Sequence, residues 1–285
     1  MPRRYASSKR KFPRRKFSRK RRFTRRKGRA GRSMGSRRIL NLTSVKKKDT
    51  MMPATVASDG SVSPTPTLSV NLPANSYVTW CQAISYRERQ SVMTAPARNL
   101  RDIYLKGFSE TLRVDTNSPN PIMVRRLILS SPVRIDLTGG VTGLDTQPTH
   151  IVDNGTHFIG LGTGPKTIDL LETMFEGTAT REWQDPFVAK IDNRRWRVHS
   201  DKVMTVRSGN TGDAFRQFKF WNPINKKVQY DDEERGNDIY GSGWTTTSTM
   251  GHQQNVYCIY LWYNQMATAL NPQITQQRTM YWHER

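Results

Sequence analysis

Cysteine is scarce in this chain: two residues, Cys81 and Cys258, in a length of 285. Two cysteines cannot build a disulfide scaffold, so the fold must rest on a hydrophobic core, with both thiols expected buried and free. No apolar signal region opens the sequence, which favours a reducing compartment. The longest unbroken apolar run, 256–263, is far shorter than the ~20 residues that cross a bilayer, so no membrane partner is expected. The five histidines, His150, His157, His199, His252 and His283, show no metal-ligand spacing, and no two are expected as neighbours on one strand face. Nothing proposes a nucleophile with its base and orienter, so no catalytic residue, metal or cofactor is expected.

The most informative absence is of acid. No Asp or Glu precedes Asp49, whereas 22 of the 46 Lys and Arg residues do. The remainder therefore holds 24 basic against 23 acidic residues, and nearly all of the formal net charge of +23 lies in one tail. A near-neutral body carrying a polycationic arm points to a polyanion as partner. Residues 1–48 have too little apolar surface to offset the entropy of ordering, and a disordered basic arm is expected there. Residues 49–74, with Pro53, Pro64, Pro66 and Pro73 among Ser, Thr and Ala, read as a semi-extended linker. A body over 75–285 follows.

That body alternates short apolar segments with Gly, Pro, Asn and Asp, the texture of an antiparallel all-β protein. Strands are expected over 76–86, 102–114, 121–130, 187–191, 195–207, 214–221, 256–264 and 277–283. Phe218 and Phe220 fall on one face of theirs and Gln217 and Lys219 on the other. The 256–263 run has no polar face, so both of its sides should be covered. One short helix is expected over 167–176, with Thr167 as N-cap, Gly177 as stop and Ile168, Leu171 and Phe175 at helical spacing. One short helix among about eight strands joined by long loops suits a jelly-roll β-sandwich.

The arm contains KRKFPRRKFSRKRRFTRRK from Lys9 to Lys27. Arg14, Arg15, Lys16, Arg19, Lys20, Arg21, Arg22, Arg25, Arg26 and Lys27 are the candidate DNA-binding residues, since guanidinium groups grip phosphates in bidentate fashion. Phe12, Phe17 and Phe23 are suited to stack on unpaired bases, which favours single strands. Lys9, Arg10, Lys11, Arg14, Arg15 and Lys16 also read as a nuclear localisation signal, with a host nuclear import receptor as the implied partner. Sixty copies would carry about 1300 arm charges, enough to neutralise on the order of a kilobase of single strand.

Secondary basic points are Arg194, Arg195 and Arg197 around Trp196, candidates for DNA or for an intersubunit contact with the acidic run Asp231, Asp232, Glu233 and Glu234. That run is also a candidate cation site, although it lacks the spaced ligands of a calcium loop. Arg125 and Arg126 point to opposite strand faces, so at least one must be structural. GLGTGPKT, 160–167, is not a phosphate loop, because Pro165 stands where Gly is needed. The sequon at Asn154 has meaning only in a secreted chain.

The stretches IDNRRWRVHSDKVMTVRSGN, FRQFKFWNPINKKVQYDDEERGNDIY, NVYCIYLWYNQMA and RTMYWHER, spread over 191–285, resemble geminivirus coat proteins and still more those of the genomoviruses. The resemblance implies a jelly-roll subunit, an icosahedral shell of copies of itself, a circular single-stranded DNA cargo, and passage through a host nucleus. The basic arm alone equally suits a non-assembling nuclear shuttle or nucleic-acid carrier, and an enzyme such as a nuclease ranks third.

Overall fold

The computed structural model describes residues 36–56, 62–64, 67–91, 93–94, 96–132, 149–152, 155–159, 166–207, 212–236, 238–246 and 254–285. Two units are distinct, 1–42 and 43–285. The first contributes most of a short helix, α1 (Ser36–Thr43). The second begins with β1 (Val45–Val56), β2 (Val62–Pro64), β3 (Thr67–Ser69), β4 (Ser76–Ala83), β5 (Asp102–Thr116) and β6 (Ile122–Ser131). It continues with β7 (Thr149–Val152), β8 (Gly155–Ile159), α2 (Lys166–Met174), β9 (Arg197–Val206) and β10 (Ala214–Gln229). Last come β11 (Glu233–Arg235), β12 (Asp238–Tyr240), β13 (Asn255–Asn264) and β14 (Gln273–Glu284).

Eight long strands form two four-stranded layers. One has the order β10-β5-β14-β1 and is extended past β1 by β8 and β7; the other has the order β4-β13-β6-β9. All pairings among the eight are antiparallel. Along the chain they change layer at every step except β6 to β9, and the first strand lies beside the last. This is the jelly-roll sandwich expected from the strand texture.

The layers differ in covering. Between them lies a core that includes Trp80, Phe108, Ile128, Val256, Cys258, Tyr260, Trp262, Met280 and Trp282. A second apolar cluster covers the opposite side of the β4-β13-β6-β9 layer. There Tyr257, Ile259 and Leu261 of β13 and Leu127 and Leu129 of β6 meet Leu171, Met174 and Phe175 at the end of α2, together with Phe187, Ile191, Trp196 and Trp244. The unbroken apolar run of β13 is thus covered on both faces, as its composition required. Cys81 and Cys258 are buried free thiols, one in each cluster.

Several expectations are corrected. Residues 46–56, read as arm and linker, form β1, which pairs with β14 over Val45–Met51. Charge density argued for disorder, but Lys47 and Asp49 find buried ion partners and Met51 enters the core. Residues 187–191 form no strand: 187 and 188 belong to a turn, 189 and 190 are irregular, and Ile191 makes an isolated bridge to Phe175. The helix starts at Lys166, so Thr167 lies inside its first turn instead of capping it. It ends at Met174, and Gly177 follows with a φ of 89° that suits its expected role as a stop. Phe218 and Phe220 are half-buried against the core while Gln217 and Lys219 are exposed, as the alternation of β10 predicted.

Candidate nucleic-acid interface

All the arm residues named as DNA-binding or nuclear-localisation candidates, Lys9 to Lys27, lie outside the described residues, as do Asn154 and 160–165. What the structure does place is the root of the arm. β1 divides the triplet Lys46-Lys47-Lys48 between two faces by its period of two. Lys46 and Lys48 are exposed, whereas Lys47 turns inward, 2.9 Å from Glu284 and 2.7 Å from the Ala97 carbonyl. Counting from 43, the body holds 27 basic and 23 acidic residues, an excess of four.

The root is fixed by the 84–101 segment between β4 and β5. Arg87 pairs with Asp49 at 2.5 Å and lies 5.0 Å over the Trp282 ring. Arg98 is fully buried, binds both carboxylate oxygens of Asp232 at 2.7 and 3.1 Å, and stacks 3.9 Å over Tyr230. Its remaining donors go to the carbonyls of Arg87, Leu100 and Ser242, so every N–H of the guanidinium has an acceptor. Glu284 takes Lys47, the Asn99 amide and the Trp282 indole. The first and last strands are therefore tied together where the arm begins.

Asp232 is consequently not available to a cation or a neighbouring subunit, which removes the centre of the acidic run from both expected roles. Glu233 remains exposed on β11. Among the described residues no group of three His, Cys, Asp or Glu is placed to hold a metal ion. The backbone register pairs His150 with His157 across the β7–β8 hairpin, on two different strands, because a hairpin brings together residues that sequence spacing keeps apart.

Both members of the Arg125-Arg126 pair are structural. Arg125 faces the outer cluster, where it pairs with Asp201 at 2.7 Å and donates to the carbonyls of Pro186 and Ala189. Arg126 faces between the layers and pairs with Glu110. Glu110 also binds Arg278 at 2.5 Å, and Gln82, Gln276, Tyr260 and Asn222 complete the cluster. Burial alone raises the Glu110 carboxyl, but Arg278 and Arg126 outweigh it and hold its pKa at about 2. Sequence reading missed this network, although Glu110 sits at an inward position between Phe108 and Leu112, and an acid there requires a buried cation.

Arg194 and Arg195 gather on Asp192, at 3.1 and 3.7 Å, and remain largely exposed themselves. The hydrogen bond from the Arg194 side chain lowers the Asp192 carboxyl, which also accepts the Arg194 amide at 3.0 Å. With Glu172, Thr173, Phe175, Gly177 and Thr178 they line a pocket of about 540 Å³. Arg197 is exposed at the start of β9. The first two thus serve a turn, and their charge is half spent on Asp192.

No family model matches the chain, and no curated protein does. Among solved structures it is similar to a chain of broad bean stain virus, with 10% identity over 75% of this chain and 86% of that one and a TM-score of 0.24. It is also similar to VP1 of trichodysplasia spinulosa-associated polyomavirus, with 9% identity over 85% and 96% of the two chains and a TM-score of 0.11. For the VP1 pentamer of human polyomavirus 6 the figures are 8% identity, 85% and 95% coverage, and a TM-score of 0.12.

Proposed function

We propose that this chain is the coat protein of a small virus with a circular single-stranded DNA genome. Its body closes an icosahedral shell of sixty copies, and its arm condenses the genome inside. The observation that carries this reading is an eight-strand jelly roll joined at its first strand to a tail with 19 basic and no acidic residues in 1–42. Subunits with that charge on the outside of a shell would repel one another, whereas enclosed DNA neutralises it. The resemblance of 191–285 to geminivirus and genomovirus coat proteins supports the same assignment.

In this reading Arg14 to Lys27 bind phosphate, Lys9 to Lys16 engage a host import receptor, and the protein passes from the host nucleus into the virion. It performs no catalytic step. Negative-stain microscopy of the purified protein tests the assembly: closed particles tens of nanometres across, holding nuclease-protected DNA, are expected. A monomer or dimer under all ionic conditions would instead leave a non-assembling carrier.

A further inference from the structure

Among the described residues no apolar cluster covers the outward face of the β10-β5-β14-β1 layer, and that face holds an arrangement that the arm does not account for. Cross-strand register sets Trp221 opposite Ser109 and Tyr281 opposite Gly107 and Lys48. Gly107 lies on the strand between them, and the Trp221 and Tyr281 rings meet edge to face with centroids 5.6 Å apart. The glycine is required twice over: its φ is 149°, and a Cβ there would lie 2.3 Å from the Asn222 carbonyl. Trp221 is 51% exposed, and Tyr104, farther along the same face where it pairs with Lys227 and His283, is 40% exposed.

Cations surround these rings. Lys46 and Lys106 both bear on His283, whose pKa is lowered by burial and by these two charges, and whose ring lies 6.1 Å from Tyr104. Lys48 stands opposite Tyr281, and Lys219 is one position along the face from Trp221. Among the described residues the carboxylates of the face are already occupied, Asp102 by Lys227 at 3.2 Å and Asp115 by Arg113 at 2.7 Å. Among the described residues no carboxylate lies within ion-pair distance of Lys46, Lys48, Lys106 or Lys219. Exposed aromatic rings among unpaired lysines are what an unpaired nucleic-acid strand requires, namely stacking for bases and charge for phosphates. The face is also continuous with the arm, since Lys46 and Lys48 belong to the strand on which the arm is rooted.

We infer that this face is a second single-stranded nucleic-acid site, in which Trp221, Tyr281 and Tyr104 stack bases and Lys46, Lys48, Lys106 and Lys219 hold phosphates. This rests on the proposed DNA-packaging role but concerns the body rather than the arm.

The test uses the full chain with two oligomers of equal charge, oligo(dT) and its abasic counterpart. Phosphate attraction, including the arm's, serves both equally, whereas stacking serves only oligo(dT). Trp221→Ala is expected to weaken oligo(dT) binding about tenfold at moderate salt, to leave the abasic oligomer unaffected, and to be rescued by Trp221→Phe. Replacing Lys106 and Lys219 by Gln should reduce the slope of log affinity against log salt by about 1.4, two phosphate contacts at roughly 0.7 each. Photocrosslinking with iodouridine-substituted oligomer should label peptides containing Trp221 or Tyr281. Labelling confined to 1–35 with unchanged discrimination in Trp221→Ala would overturn the inference and leave the arm reading standing. A Trp221→Ala protein that loses assembly but keeps its DNA affinity would overturn it in favour of contact with a second copy.

Discussion

The two layers of the sandwich are built from similar strands but differ in what covers them. The β4-β13-β6-β9 layer has apolar clusters on both sides, and its central strand β13 carries no polar face. Among the described residues the β10-β5-β14-β1 layer is covered on one side, and its strands alternate strictly enough for β14 to read as buried at every second residue. A strand's period therefore reports how many of its faces are occupied. Basic residues distribute accordingly: on the doubly covered layer Arg125 and Arg126 are locked into ion pairs, while on the open face Lys46, Lys48, Lys106 and Lys219 face solvent.

This contrast can be broken by substitution. The largest effect is expected between the layers, where Glu110→Gln would leave Arg126 and Arg278 buried without their anion. Unfolding free energy from urea titration should drop by about 3 to 5 kcal/mol. Next comes the covered outer face, where Ile259→Ala should cost about 2 to 5 kcal/mol even though its side chain points away from the sandwich core. A cost below about 0.5 kcal/mol would mean that the second cluster is not a core. Gly107→Ala should destabilise by about 1 to 3 kcal/mol through the collision with the Asn222 carbonyl, measurable as a lowered melting temperature. On the open face, Lys219→Ala should stay within about 0.5 kcal/mol of the parent chain.

Acid sharpens the same comparison. The folded-state pKa of Glu110, about 2, lies below its ordinary value of 4.5. Its contribution is thus complete above pH about 4.5 and is lost as pH falls toward 2. Melting temperatures measured through that window should decline in the parent chain, and that part of the decline should be absent in Glu110→Gln.

Much of the sandwich was legible because burial imposes local patterns. The alternation of Phe218 and Phe220 with Gln217 and Lys219, and the solid apolar run of β13, each announced how their faces are covered. Two kinds of residue were misread. Lys47 and Asp49 looked like arm and linker, because their partners Glu284 and Arg87 lie 237 and 38 positions away. Asp232 looked like a free acidic run until the fold supplied Arg98. The arm residues from Lys9 to Lys27 keep their assignment on composition alone.

Residue type and a period of two along the chain were enough to establish the segregation of charge and the strand-rich class. Which charges are spent and which remain available became visible with the packing of the strands. Ion pairing depends on distance in space: Arg98, Arg126 and Arg278 are consumed by carboxylates that the fold brings to them, Asp232 and Glu110, and an alternating strand leaves Lys46 and Lys48 facing outward on either side of the inward-turned Lys47.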